Sequence, residues 1–475
     1  MRRVALALTA LAAWGSAQAF DPLGSERLLA ALPPPGQLPL DAELAGGPAC
    51  PAPGVDTRGP ISLGEVVKRA LCHDPRTRQA WAESRLQAAR LGVARAAYLP
   101  TLTASLSEAR SGQTVSQGGA STRTDAGTRS TRLDLGWNLF DFGQREASVE
   151  SARQTLQAAV ASQDLGVQTV FLDAANAYFG LLAAQGELAV AREVERINLE
   201  SFMAAEAKHA AGIGDLTSKL QTQTAFAQAI LARVRAEGAL RNARGRLAVS
   251  IGESPQRPLT VEADDARLPD TDFVKGVADM LELAQQAHPE LRAARARLDA
   301  ARARSSAAGR AYLPTLSLSA SRSHTGNDYA AAAVPDLAQR DSRVALQLAV
   351  PIFDGFAKHY QLKAAAAEVE LASADLRSAE QRVALEVWQA WQTLQSETEA
   401  LAGTEKLLGF ATKSLEVAQG RFKAGVGSTL ELLEAQRAMA DAAQQRINAL
   451  ASWRATRLRL AASLGRIGFW SVREG

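Results

Sequence analysis

Glu431 and Glu434 stand three residues apart just beyond a glycine-rich stretch, and helical spacing places both carboxylates on one face. Two acids so placed attract cations and repel anions, or serve as ordinary solvated charges of a coiled helix. Other material for chemistry is scarce. The five histidines, His73, His209, His288, His324 and His359, show no metal-ligand spacing. No G-x-x-x-x-G-K-[ST] run is present, so ATP hydrolysis is not expected. Scattered Ser, His and Asp make no triad pattern, and neither an enzyme nor a cofactor is expected. Cys50 and Cys72 could pair in an oxidising compartment or remain two thiols. Gly212, Gly214, Gly425 and Gly427, the last followed by Ser428, supply the positive φ that a tight reversal requires. Trp137, Phe140, Phe142, Phe353 and Phe356 cluster at the ends of alternating segments. That placement suits an aromatic girdle at a membrane interface, or packing at a junction between elements.

The composition says what surrounds these residues. Of 475 residues, 47% are hydrophobic but only 5% aromatic, with alanine prominent. Such a chain favours helices packed closely along their length. Residues 1–19 read as a secretory signal: Arg2 and Arg3, an apolar run from Val4 to Trp14, then Ala17-Gln18-Ala19. Without the two arginines the formal charge falls from +3 to +1, which argues against nucleic acid as a partner. No later stretch reaches the ~20 apolar residues of a spanning helix. Residues 20–60 carry nine of the 18 prolines and read as an extended segment.

The chain is a duplication. Ala97-Tyr98-Leu99-Pro100-Thr101-Leu102 recurs as Ala311-Tyr312-Leu313-Pro314-Thr315-Leu316. Leu139-Phe140-Asp141 recurs as Ile352-Phe353-Asp354, Ala211-Gly212-Ile213-Gly214 as Ala424-Gly425-Val426-Gly427, and Ser250-Ile251-Gly252 as Ser463-Leu464-Gly465. An offset of 214 residues in the first match and 213 in the other three implies two copies of a single unit, 61–252 and 276–465, joined by a linker at 253–275 and followed by a tail at 466–475.

Each unit predicts the same order of elements. A helix (62–97; 277–311) stops at Pro100 or Pro314. Two period-2 segments follow, with polar loops expected at 108–131 and 322–342. Leu102, Ala104 and Leu106 alternate with Thr and Ser, and Val344, Leu346, Leu348 and Val350 alternate with small or polar residues. A very long helix comes next (144–209; 357–422). In the first, Val160, Gln163, Val167, Val170, Ala174, Ala177, Leu181, Ala184, Leu188 and Ala191 keep a 3,4 spacing, which is a coiled-coil seam. After the Gly-x-Gly turn a helix returns (215–250; 428–464).

Four strands with one apolar and one polar face suit a barrel wall between lipid and water. Four strands cannot close, and open edges are not tolerated in lipid, so several chains must share one barrel. Three copies give about 12 strands. A monomeric porin is excluded on strand number.

With these elements placed, the pattern from Ile61 to Gly465 resembles the TolC-like outer-membrane factor family. The motifs that carry the likeness are Tyr-Leu-Pro before each first strand and Leu/Ile-Phe-Asp closing each second strand. A third is Arg421-Phe422-Lys423-Ala424-Gly425 running into Leu432-Leu433-Glu434-Ala435-Gln436. The resemblance implies an α+β membrane protein of the Gram-negative outer membrane. It implies a homotrimer with a shared 12-stranded β-barrel, four strands per chain, and a long periplasmic α-helical coiled-coil barrel. It further implies docking of Gly212, Gly214, Gly425, Gly427 and Ser428 onto a periplasmic adaptor and, through it, an inner-membrane ABC transporter. Glu431 and Glu434 would form acidic rings at a pore constriction, and Trp137, Phe140 and Phe353 would lie at the membrane interface. Three functions remain open: a type I secretion duct for an unfolded protein substrate, a drug-efflux duct, and a surface coiled-coil adhesin.

Overall fold

A computed structural model describes residues 59–257, 259–262, 277–329 and 337–465. The signal, the proline-rich segment, most of the linker, the tail and the Cys50–Cys72 pairing lie outside the described residues. In chain order the elements are α1 (Leu63–His73), α2 (Pro75–Ala96), β1 (Thr101–Gln117), β2 (Ala120–Phe140), α3 (Gln144–Ala210) and α4 (Leu216–Ser250). The second copy supplies α5 (Val277–Ala287), α6 (Pro289–Arg310), β3 (Thr315–Tyr329), β4 (Leu337–Ala349), α7 (Ala357–Lys423) and α8 (Thr429–Ser463). Two compact units share them: one holds Ser84–Ala158 and Ala294–Leu376, the other 59–83, Ala159–Ala293 and 377–465.

The first unit carries one antiparallel sheet in the order β1-β2-β3-β4. Its register aligns the apolar residues into rows. Leu102 faces Leu135, Leu135 faces Ala320, and Ala320 faces Val344. Leu318 lies between Trp137 and Leu346. The opposite face carries rows such as Ser105, Arg132, Ser323 and Asp341. The apolar rows have nothing over them: Leu102 is 65% exposed and Val344 76%. A contiguous apolar face of this kind marks contact with lipid or protein. It ends where Glu108 meets Arg129 at 3.5 Å. On β2, from Leu133 to Leu139, it spans about 20 Å of strand, a little short of the ~25 Å apolar band of outer-membrane barrels.

Two expectations need correction. The polar loops at 108–131 and 322–342 are largely strand. β1 and β2 stay paired up to a two-residue turn at Gly118 (φ +59°) and Gly119 (φ +88°), and β3 runs on to Tyr329. Ser, Thr and Arg do not interrupt a ladder made by the backbone, and cross-strand and i,i+2 ion pairs such as Arg123–Asp125 support it. Each opening helix is also divided in two, at Asp74-Pro75 and at His288-Pro289. Proline at the first helical position lacks the amide that would continue the previous helix, and it holds the preceding residue extended. Asp74 adopts φ −65°, ψ 126° and accepts the Arg76 amide at Oδ1 (2.8 Å). In the second copy the buried His288 takes that role, with its Nδ1 accepting the Glu290 amide (3.2 Å).

The second unit holds the main apolar core. Val66, Val67 and Leu71 of α1 pack with Val170, Phe171 and Tyr178 of α3 and with Leu247 and Ile251 at the end of α4. Eight of the ten seam residues named above are buried, Val160 and Ala177 being half-buried. Arg69 crosses from α1 to Glu253 (3.4 Å), which also holds Arg257 (2.7 Å).

The recurring Ser-Ile/Leu-Gly motif acquires a physical meaning here. Gly252 (φ +77°) and Gly465 (φ +70°) end the returning helices. A Cβ on Gly252 would lie 2.4 Å from the Cβ of His73, and one on Gly465 2.9 Å from the carbonyl of Ala287. Each repeat therefore closes by laying its last glycine against the residues just before its proline break.

Gly252→Ala is expected to combine the ~1–2 kcal/mol left-handed backbone cost with this collision. Gly212→Ala, at φ +74° but facing open space, incurs the first cost alone. Thermal denaturation should therefore fall further for Gly252→Ala. His288 yields a pH prediction. Burial holds its pKa below the ordinary imidazole value, against the opposing pull of Glu290 and Glu386. Its cap needs an unprotonated Nδ1. Because the folded-state pKa is depressed, the stabilisation is present above the unfolded value of 6.5 and is lost as pH falls through the folded value. Denaturant midpoints should drop from pH 7.5 to pH 5, and His288→Asn, whose amide oxygen caps at every pH, should flatten the slope.

Candidate functional site

The two inter-helix turns are built alike from backbone outward. After α3, the amides of Ile213 and Gly214 both donate to the carbonyl of Lys208 (3.0 Å each). After α7, those of Val426 and Gly427 both donate to the carbonyl of Arg421 (3.0 Å each). Gly212 and Gly425 (φ +80°) provide the left-handed step that ends each long helix. Gly214 and Gly427 serve a different need, close approach. A Cβ on Gly214 would lie 2.9 Å from the His209 nitrogen, and one on Gly427 2.9 Å from the Arg421 Cβ and 3.0 Å from the Phe422 nitrogen. The next helix is then capped: Asp215 accepts the Ser218 amide (3.0 Å), and Ser428 accepts the Glu431 amide (3.1 Å). The hydrogen bond to Ser218 holds the Asp215 carboxyl below its ordinary pKa.

The turns lie beside each other in the second unit. Thr429 Oγ1 donates to Ser218 Oγ (2.8 Å). Beneath them Ile197 and Ala205 of α3, Leu415, Ala418 and Phe422 of α7, and Leu432 and Ala435 of α8 form a separate apolar cluster. Lys208 reaches from the first repeat to the second, donating to the Phe422 carbonyl with its ammonium 4.2 Å from the Phe422 ring centroid. The two acids have different surroundings. Glu431 Oε1 lies 3.2 Å from Arg421 Nε, so its charge is compensated within the chain. Glu434 is exposed, one turn further along α8. Arg421 was legible only as part of a motif. Its link to Glu431 crosses a turn, so no helical spacing announces it.

The aromatic residues occupy the first unit, at the corners where strands give way to long helices. Trp137 Nε1 donates to the Tyr98 carbonyl (3.0 Å). Phe140 meets Phe142 edge-on with centroids 4.7 Å apart, and Phe353 meets Phe356 at 5.4 Å. Phe140 and Phe353 are exposed. Among the described residues, Phe142 (φ +51°) and Phe356 (φ +68°) are the non-glycine residues with positive φ, each beside a glycine that shares it. A bulky residue in that region is a true outlier. The order Phe-Gly in one repeat and Gly-Phe in the other hid this from the sequence. Arg145 secures the first corner. It pairs with Asp141 (2.7 Å), donates to the carbonyls of Asn138, Leu139 and Ala97, and lies over the Tyr98 ring. Among the described residues no group of His, Cys, Asp and Glu could hold a metal. The arrangement offers charge and shape, not bond-making.

Gly427→Ala should disrupt the second turn more than Ser428→Ala, which removes one cap at a cost of about 1 kcal/mol. Hydrogen exchange across 425–431 would report the difference. Of the two caps, acid should act on that of the first turn, which is a carboxylate. The depressed Asp215 pKa makes its cap present above the ordinary carboxylate range and lost as pH falls through the folded value. Exchange at 212–218 should therefore rise at low pH before that at 425–431, where the cap is a serine.

The fold and both sets of residues can now be set beside known proteins. A family model described as outer membrane efflux protein matches residues 66–253 and 280–466, which are the two repeats. Protein CyaE of Bordetella pertussis is 32% identical over 88% of this chain and 87% of its own. The pyoverdine export outer membrane protein OpmQ of Pseudomonas aeruginosa is 28% identical over 82% of each. Among solved structures, the outer-membrane channel OprN superposes with a TM-score of 0.73 at 23% identity, covering 86% of this chain and 90% of that one. Both repeats are matched by the family model, and the likeness to CyaE exceeds four-fifths of each chain. This chain belongs to the outer membrane efflux protein family, and it is a TolC-like, non-catalytic channel protein of the outer membrane that extends into the periplasm.

Proposed function

We propose that this chain is the exit duct of a type I secretion system, exporting a protein toxin such as cyclolysin (adenylate cyclase–haemolysin). An inner-membrane ABC transporter would supply the energy, and a periplasmic adaptor would seal against the turns at Gly212, Gly214, Gly425, Gly427 and Ser428. The observation that carries this reading is the 32% identity with CyaE over 88% of the chain, above the 28% shared with a pyoverdine exporter. Three copies would close the barrel, because the sheet of each ends in two free edges, β1 and β4. Glu434, exposed on α8, would ring the narrow end of the pore, with Glu431 behind it neutralised by Arg421. Trp137, Phe140 and Phe353 would sit at the lipid–water boundary.

A second reading, a small-molecule efflux duct of the same fold, is favoured by the likeness to OpmQ. Deleting the gene separates the two. Loss of toxin from the culture medium with unchanged drug susceptibility supports the first, and the reverse supports the second. Planar-bilayer recording separates both from an adhesin. The purified protein should form cation-preferring channels, and Glu434→Gln should lower the cation preference more than Glu431→Gln. An absence of conductance would remove the duct reading altogether.

A further inference from the structure

We propose that the far end of the sheet's apolar face holds a binding site for the phosphates of the outer-leaflet glycolipid (lipid A), with Arg322 and Arg340 as its anion-binding pair. The inference rests on the shared-barrel reading above and adds to it a lipid ligand and the side chains that take it.

Alternation divides the charges of the sheet between its two faces. The register puts Leu102, Leu135, Ala320 and Val344 on one row, so even-numbered residues of β1, β3 and β4 share the apolar face with odd-numbered residues of β2. The opposite face carries Arg132 and Asp134 on β2, joined at 2.8 Å, and Asp341 and Arg343 on β4. Its charges cancel. The apolar face carries five arginines against three acids, Glu108, Asp125 and Asp328, with His324 among them. The excess positive charge of the sheet is therefore all on the side turned toward lipid. Each strand leaves its apolar stretch on one charge: Glu108 on β1, Arg129 on β2, Arg322 on β3 and Arg340 on β4. These charges lie at the end of the sheet remote from the long helices. In a channel whose helices reach into the periplasm, that end meets the outer leaflet.

The acids of this face are engaged elsewhere. Glu108 meets Arg129 (3.5 Å) and Asp125 meets Arg123 (3.0 Å). Asp328 lies about 20 Å along β3 from Arg322. Among the described residues neither Arg322 nor Arg340 has an ion-pair partner, and both are exposed. The two are diagonal neighbours, since Arg322 faces Ser342 and His324 faces Arg340, which sets their Cβ atoms about 7–8 Å apart. Like charges so placed repel, and nothing in the chain offsets them. In a shared barrel, β1 of the next copy stands beside β4 and brings one acid and one arginine to this face, Glu108 and Arg110, so the excess remains. A phosphate between Arg322 and Arg340 removes the repulsion, and two planar guanidinium forks match its oxygens. His324 adds an N–H in either protonation state. The arginine stems start beside the last apolar residues of their strands, Ala320 and Val344, so acyl chains of the same molecule lie along those rows. The apolar rows select a phosphate carried on a lipid over one free in solution.

Lipid A with and without its phosphates, titrated in detergent onto the full-length protein, is the probe, and native mass spectrometry reads binding and oligomer mass together. The parent should hold the phosphorylated form at least about tenfold more tightly than the dephosphorylated one. Arg322→Gln should weaken the phosphorylated form about fivefold, and Arg322→Gln with Arg340→Gln at least about tenfold, with the dephosphorylated form unchanged. Arg132→Gln, on the opposite face, should leave both affinities as they are. Equal affinity of the parent for the two lipids, or an equal loss in Arg132→Gln, would overturn the inference and leave two solvated charges at a membrane boundary. Full competition by micromolar inorganic phosphate would also overturn it, as the mark of a small-anion site. Should the double variant fail to assemble, Arg322→Gln and Arg340→Gln are read singly, and an unchanged phosphate preference in both rejects the pair. A monomeric parent would instead sink the shared-barrel reading, whereas a trimer blind to the phosphates sinks this proposal alone.

Discussion

The backbone amides and carbonyls at the edges of the sheet constrain everything else. In water an unpaired strand edge is tolerable, but in hydrocarbon each unsatisfied group costs several kcal/mol. Here β2 and β3 are paired on both sides, whereas β1 and β4 are paired on one. The same sheet presents an apolar face that no part of its own unit covers, from Leu102 to Leu348. The face calls for lipid, and lipid forbids the edges. Both demands are met only if β1 of one copy pairs with β4 of another.

Duplication supplies the geometry that such a wall needs. Each repeat turns its chain twice, and the two reversals use glycine for different reasons. At the far turns a Cβ on Gly214 or Gly427 would come within about 3.0 Å of atoms at the end of the preceding helix. At the closing ends Gly252 and Gly465 lie against the residues preceding a proline break. An alanine is excluded at Gly214 and Gly427 by contact, and at Gly252 and Gly465 by contact as well as by conformation. Because both repeats obey the same exclusions, their turns are level and their helices stay in step.

Much of this was legible in the sequence. The long helices end within a residue of where the glycines and prolines place them. The seam from Gln163 to Leu188 is buried apart from half-buried Ala177, because a 3,4 spacing has one inward face. The breaks at Asp74-Pro75 and His288-Pro289 were not seen, since apolar periodicity continues across them on both sides. Their signal was local: a capping side chain directly before proline. The strands extend further than alternation implied. Beyond Leu106 neither face is apolar, so the pattern vanishes while the ladder persists. Of the candidate site, the glycines and acids could be picked out by type and spacing. Arg421 at Glu431, and the left-handed phenylalanines at the corners, depend on how the chain folds back and leave no periodic trace.

The two turns share a backbone but not their charges, and the contacts between them are therefore asymmetric. The carbonyls at the end of a helix carry partial negative charge and lack intrahelical partners. At the end of α7 the Phe422 carbonyl receives Lys208 from the first repeat. The corresponding cation in the second repeat, Arg421, cannot return the contact because Glu431 holds it. Removing Lys208 would thus loosen the second turn, while removing Arg421 would leave Glu431 without this partner and would not uncap α3. An ancestor with two identical turns would have coupled them symmetrically. Divergence at these few side chains leaves one turn bracing the pair and the other holding an ion pair of its own.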